Sequence, residues 1–236
     1  NDRILLVLKK VLILAGGFGL RLKSVVPDLP KPLAPVCGKP FLMHLIENYI
    51  SQGAREFIFL LHYEAPLIQS MIAEMFENNN DFGVKVAYIV EDKPLGTGGA
   101  IMSAINIANI NESFLVVNAD TWLGGGLRDV SLSPPNSIAS VTVKDCSRYG
   151  ALVAEDNKIT KFLEKDTSYG PGLINAGLYH LSPDIFSGFI ANKAFSLENE
   201  VFPNICKEMG LNIIKIKTDF IDIGIPEDYF RFCKWI

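Results

Sequence analysis

The stretch Val11-Leu-Ile-Leu-Ala-Gly-Gly-Phe-Gly-Leu-Arg-Leu-Lys-Ser24, continued by Leu29-Pro-Lys-Pro-Leu33 and Gly38-Lys-Pro-Phe41, constrains this chain more than any other. The apolar run Val11 to Leu14, bounded by glycines, suits a strand covered on both faces. Gly16, Gly17 and Gly19 free the backbone to turn and bring main-chain N–H groups close to a ligand. Arg21, Lys23, Lys31 and Lys39 follow within a short span. A bare glycine loop followed by fixed cations suits a polyphosphate. The loop is neither a G-x-x-x-x-G-K-[ST] nor a G-x-G-x-x-G motif: from Gly17 the last glycine position holds Leu22.

The next stretches repeat one pattern. Phe41 to Gly53 has helical apolar spacing, Phe57 to Leu61 reads as a buried strand, Ala65 to Asn78 as a helix and Val84 to Val90 as a strand. Strand and helix alternating in this way predict right-handed crossovers and an α/β sheet. Val90-Glu-Asp-Lys-Pro-Leu-Gly-Thr-Gly-Gly-Ala100 then leads into a helix over Ile101 to Ala108, with Thr97 as a candidate N-cap. Phe114 to Asn118 is another buried strand, and it ends in Ala119-Asp120-Thr121.

The middle of the chain changes to short strands at Ile138 to Val143, Ala151 to Ala154 and Ile159 to Phe162, which predict an antiparallel extension. Helices are expected over Pro183 to Asn192, capped by Ser182, and over Glu198 to Gly210. A strand is expected over Asn212 to Lys217, and a last helix after Pro226.

Net charge is −4, which argues against a general nucleic-acid binder but not against one anionic ligand in a local basic pocket. The apolar runs are strand-sized, too short for a membrane span, and no cleavable leader is evident. Cys37, Cys146, Cys206 and Cys233 lack C-x-x-C spacing and read as reduced thiols of a cytoplasmic protein. Oligomeric state stays open, a homo-oligomer included.

L-A-G-G-x-G-x-R-L, then P-K-P, then G-K-P, resembles the opening of the sugar-1-phosphate nucleotidylyltransferases. These make nucleotide sugars from a nucleoside triphosphate and a sugar 1-phosphate. Five later segments fit the family: Glu91 to Thr97, Arg148-Tyr-Gly150, Phe162-Leu-Glu-Lys165, Leu173 to Tyr179, and Phe220-Ile-Asp-Ile-Gly-Ile-Pro-Glu-Asp-Tyr229. Leu20 and Ile225 stand where the family has threonine, Ala119 where it has glycine, and Phe220 near its usual tryptophan. The resemblance implies a Rossmann-like, doubly wound, mostly parallel sheet with helices on both faces and a small antiparallel sugar-binding extension. One domain over 1–236 is expected, with 11–120 mainly for the nucleotide and 121–236 mainly for the sugar phosphate.

What the resemblance implies for the site is specific. Ala15, Gly16, Gly17, Gly19, Arg21, Lys31, Glu91, Gly96 and Thr97 would bind the nucleotide. Tyr149, Gly150, Glu164, Lys165 and Asn175 would bind the sugar phosphate, and Asp120 and Asp222 would hold Mg²⁺. Arg21, Lys31, Asp120 and Lys165 would be catalytic.

The whole-chain pattern looks closest to the D-glycero-α-D-manno-heptose 1-phosphate guanylyltransferases, on Leu22 to Pro35, Glu91 to Ala100 and Phe220 to Tyr229. Mannose 1-phosphate guanylyltransferases and N-acetylmuramate 1-phosphate uridylyltransferases are the rival assignments. A catalytically silent nucleotide-sugar sensor is the alternative of another class.

Overall fold

A computed structural model describes residues 9–77, 83–163 and 170–236. In chain order the strands and helices are β1 (Val11–Leu14), β2 (Pro35–Val36), β3 (Lys39–Pro40), α1 (Phe41–Ser51), β4 (Glu56–Leu61), α2 (Ala65–Glu77), β5 (Lys85–Val90), α3 (Gly96–Ile107), β6 (Phe114–Asn118), β7 (Thr121–Leu123), α4 (Leu127–Leu132), β8 (Ser137–Val143), β9 (Leu152–Glu155), β10 (Lys158–Phe162), β11 (Gly172–Leu181), α5 (Phe202–Glu208), β12 (Leu211–Lys215), β13 (Phe220–Asp222) and α6 (Pro226–Trp235).

Nine strands form one sheet in the order β5-β4-β1-β6-β11-β8-β12-β10-β9. The neighbours β5, β4, β1 and β6 are mutually parallel. Beyond β6, only β11 and β10 run against the common direction. The antiparallel part is therefore continuous with the parallel part. Chain order runs from β1 outward to β4 and β5, then returns through α3 to β6 on the other side of β1. That reversal opens a crevice beyond the carboxyl ends of β1 and β6, where open α/β sheets bind ligands.

Period-two side-chain alternation sends neighbouring residues of the central strands to opposite faces. Val11, Ile13, Phe57, Phe59, Leu115 and Val117 pack with α1, α2 and α6 on one face. Leu12, Ile58, Leu60, Phe114 and Val116 pack with α3 and α5 on the other. This two-sided burial is why these strands are unbroken apolar runs. Helix α6 is held to the first face by Phe232, whose ring lies 5.1 Å from Phe41 and 5.3 Å from Trp122.

Two expected elements differ, and one segment without an assigned element joins the sheet. Pro183 to Asn192 is not a helix but a single 3₁₀ turn, Pro183–Phe186, and Ser182 makes no side-chain cap bond there. Gly188, just beyond the Ser187 C-cap, disfavours continuing it. The helix expected from Glu198 is a π-helical turn, Leu197–Val201, followed by α5. Pro203 supplies no N–H, so an α-helical bond back to the Asn199 carbonyl cannot form. Leu173 to Tyr179 belongs to the long central strand β11, with a register shift between Asn175 and Tyr179. No helix among the described residues is long and apolar enough to cross a membrane.

His180, on β11, is 2% exposed. Burial, and secondarily the charge of Lys9, push its pKa down to about 4. The unfolded chain therefore takes up this proton first as pH falls. The associated stability is complete above about pH 6.5 and is lost progressively towards pH 4, a difference of roughly 3 kcal/mol. Urea unfolding of wild type and His180→Gln between pH 7 and pH 4 should show a flatter acid loss in the variant. Parallel curves would contradict this.

Candidate active site

Three adjoining cavities of about 320, 440 and 460 Å³ fill the crevice. Main-chain bonds set its floor: Ala15 N–H donates to the Leu60 carbonyl (3.0 Å) and Ala119 N–H to the Leu14 carbonyl (3.1 Å). The glycine loop then turns over Lys31. Gly19 has φ +61°, and a Cβ there would lie 2.8 Å from Lys31 Cβ, so the close approach requires glycine.

The cavities meet at a charge cluster. Lys31 Nζ donates to Asp120 Oδ2 at 2.6 Å and lies 3.8 Å from Asp222 Oδ1. Thr121 Oγ1 donates to Asp120 Oδ1 at 3.1 Å, and Gly224 N–H to Asp222 Oδ1 at 2.7 Å. Backbone pairing places the two acids together: Asp222 is in register with Thr121 across β13 and β7, and Ile223 N–H donates to the Asp120 carbonyl. Burial and then the Asp120 charge raise the pKa of Asp222, while Lys31, Gly224 N–H and Arg21 pull it back. Two facing carboxylates share one cation here, at a point that Arg21 also borders.

A divalent cation fits this donor set. Two carboxylates already draw a positive group to the point between them, and hard oxygen donors suit Mg²⁺. Among the described residues no cluster of three or more His, Cys, Asp or Glu could hold a metal. A bound ion would complete its shell with phosphate and water oxygens.

On the strand β4–β5 side, the smallest cavity is lined by Gly16, Gly17, Phe18, Glu91, Gly96 and Thr97, among others. Glu91 Oε2 accepts from Leu95 N–H at 3.2 Å, whereas Oε1 is buried without a partner. Burial raises the Glu91 pKa, partly offset by the Leu95 N–H and by His62. Thr97 is not the N-cap: α3 begins at Gly96 with Leu95 at the cap position. The Thr97 hydroxyl instead donates to Glu198 Oε2 and accepts from Leu197 N–H, both at 2.8 Å. The Phe195 carbonyl occupies Gly98 N–H (3.0 Å), which ties the start of α3 to the same segment.

On the β11 side, the 440 Å³ cavity is lined by Tyr149, Gly150, Asn175 and Asp222, with Arg21 at its edge. Asn175 is largely committed: Nδ2 donates to Tyr179 Oη and Oδ1 accepts from Gly177 N–H, both at 2.9 Å. Tyr179 is fully buried, and its phenol pKa is raised well above the ordinary value, mainly by burial. Arg148, also in the wall, pairs with Asp228 of α6, which Arg231 holds from the other side at 3.2 Å. Glu164 and Lys165 lie outside the described residues. Every other expected site residue lines one of the three cavities.

Not singled out from the sequence are Asn118 and Glu198, which line both flanking cavities, and Asn199, which lines the larger of the two; Arg148, in the expected Arg148-Tyr-Gly150 segment but without a role of its own, lines that cavity too. Asn118 passes as the last residue of an apolar strand. Glu198 passes as a helix-starting acid, and only the irregular turn before Pro203 hints otherwise.

A mixed, doubly wound sheet carries a cationic glycine loop and paired acids at its switch point, an arrangement suited to a phosphorylated ligand. The nucleotidyl transferase family matches residues 10–234, and the chain belongs to it. It is 35% identical to the D-glycero-alpha-D-manno-heptose 1-phosphate guanylyltransferase of Campylobacter jejuni, over 94% of this chain and 98% of that one. It is 33% identical to the enzyme of the same name from Aneurinibacillus thermoaerophilus, over 95% and 97%. HddC from Yersinia pseudotuberculosis, whose crystal structure is complexed with GMP-PN, superposes with a TM-score of 0.81 at 39% identity, over 96% of this chain and 99% of that one. The doubly wound fold and the nucleotidyl-transfer class expected from the sequence are thereby borne out.

Gly224 tests the cluster without touching its charges. A Cβ at this position would lie 2.8 Å from Asp222 Oδ1 and 3.3 Å from Lys31 Nζ. Gly224→Ala should leave the thermal midpoint nearly unchanged and cut turnover between about 10- and 100-fold, since small misplacements of reacting groups carry costs of that size. Wild-type turnover in this variant would mean that the spacing of the two groups does not matter.

Proposed function

We propose that the protein transfers a guanylyl group from GTP to D-glycero-α-D-manno-heptose 1-phosphate, giving a GDP-heptose and pyrophosphate. The observation that carries this reading is the Lys31 ammonium shared by Asp120 and Asp222 where the three cavities meet. Two anionic reactants must be brought together there, and the site is built from charge neutralisation. The names of the relatives support the substrate pair.

An oxygen of the sugar phosphate attacks the α-phosphorus. A new P–O bond forms as the bond to the β-phosphate oxygen breaks, and the electron pair leaves with pyrophosphate. The nucleophile, with a second pKa of about 6, needs no general base at neutral pH. Catalysis rests on alignment and charge compensation. Arg21 offsets charge on the β- and γ-phosphates and the departing pyrophosphate. Lys31 and Lys165 align the two reacting phosphates. Glu164 receives sugar hydroxyls, Tyr149 forms a wall, and Gly150 and Asn175 complete the pocket. Asp120 and Asp222 would hold Mg²⁺, which would supply further positive charge to the phosphates.

Glu91 is the base-reading group in this proposal. Guanine offers N1–H and an exocyclic amine side by side, two donors for one carboxylate, and uracil cannot match that pattern. The buried, unpartnered Oε1 supports the assignment.

A screen of nucleoside triphosphates against sugar 1-phosphates, read by pyrophosphate release, tests the proposal. GTP with the heptose 1-phosphate should react fastest. Asp120→Asn should lose on the order of 10²–10³ in turnover, and Glu91→Gln should erode the preference for GTP over UTP. Release with mannose 1-phosphate instead would favour the second reading, which a Xenopus laevis mannose-1-phosphate guanyltransferase supports at 31% identity, this chain covering 64% of it. No release with any pair would favour a non-catalytic sensor.

A further inference from the structure

We infer that Phe18, at the tip of the glycine loop, is a positioning residue that covers the face of the nucleobase. The inference rests on the nucleotide reading above and adds a contact that Glu91, which reads the edge of the base, does not supply.

Phe18 is 45% exposed, an unfavourable place for a phenyl ring beside a polar site unless something covers it. It borders two cavities at once, the one holding Glu91 and the one holding Arg21 and Lys31. The second suits phosphates, whose charge a phenyl face cannot solvate. The first has apolar walls at Leu14, Leu60, Pro94 and Ala100, which suit a flat heteroaromatic ring. A base seated there presents its face to Phe18.

The ring is also braced from behind. It meets His62 edge-on at 5.9 Å and Tyr63 at 5.3 Å. Lys23 Nζ donates to Tyr63 Oη at 3.2 Å and lies 4.9 Å from the centre of its ring. His62 Nδ1 lies 2.9 Å from the Glu91 carbonyl, which places the proton on Nδ1 and couples the bracket to the residue that reads the base edge. Neighbouring Gly16 keeps His62 close, since a Cβ at that glycine would lie 3.3 Å from the histidine Cβ. Face and edge recognition thus share one rigid unit. A purine, with two fused rings, gains more from the face contact than a pyrimidine does.

Equilibrium binding of a non-hydrolysable GTP analogue and of inorganic tripolyphosphate separates the roles. Phe18→Ala should weaken the analogue by about 5- to 100-fold, the range for stacking one base on an aromatic side chain. Tripolyphosphate, which has no base, should bind as it does to wild type. Phe18→Trp should restore analogue affinity and add tryptophan emission that the analogue quenches and tripolyphosphate does not. In turnover, the alanine variant should raise KM for GTP far more than it lowers kcat. Equal weakening of both ligands would mean that Phe18 only shapes the loop, and wild-type affinity in the alanine variant would mean that it touches nothing. Either result overturns the inference while leaving the nucleotide reading intact. If wild type binds no nucleoside triphosphate, both fall.

Discussion

One ammonium group held between two carboxylates organises this protein. Lys31, Asp120 and Asp222 are far apart in the chain, and each acid alone would be an ordinary solvated group. Brought together without the lysine, the acids would repel, and the raised pKa of Asp222 records that burial and its neighbour's charge already act against ionisation. The cost is met by structure. The short β13–β7 ladder aligns Asp222 with Thr121, and the chain beyond it bonds back to the Asp120 main chain. The glycine loop lets Lys31 pass close beneath it.

The sheet explains why the cluster lies where it does. Chain order reverses about β1, so the carboxyl ends of β1 and β6 face a crevice with no helix to fill it. The parallel strands β4 and β5 carry the Glu91 side of that crevice, and β11 with its neighbours carries the other. Helix α6 closes the assembly from behind, because Asp228 draws in Arg148 from the wall of the larger cavity while Phe232 packs into the core. A residue distant in sequence thereby sets the shape of the wall, and Arg148 keeps its charge against burial through that bond to Asp228.

Much of this was legible from residue patterns. Unbroken apolar runs at Val11, Phe57 and Phe114 marked the two-sided strands, and helical spacing marked α1 and α2, because both signals are local. The glycine loop with Arg21 and Lys31 suggested an anion site for the same reason, and the structure brings these residues to one cavity. The pairing of Asp120 with Asp222 came from resemblance, since spacing alone says nothing about residues so far apart. What failed was non-local. Thr97 has the chemistry of a cap but spends its hydroxyl on Glu198 across the crevice. Asn175 and Gly177 interrupt the alternation of β11, so the longest strand in the sheet did not stand out. Glu198 lines two cavities because a proline distorts the turn that carries it, which no helical pattern reveals.

The most direct measurement is a crystal structure of the protein with GTP analogue, sugar 1-phosphate and Mn²⁺ in place of Mg²⁺, with anomalous density locating the ion. The account predicts one peak between the carboxylates of Asp120 and Asp222, with the Lys31 ammonium shifted onto a phosphate oxygen. A peak elsewhere, or both carboxylates turned away from the ligands with Lys31 still bound to Asp120, would contradict it.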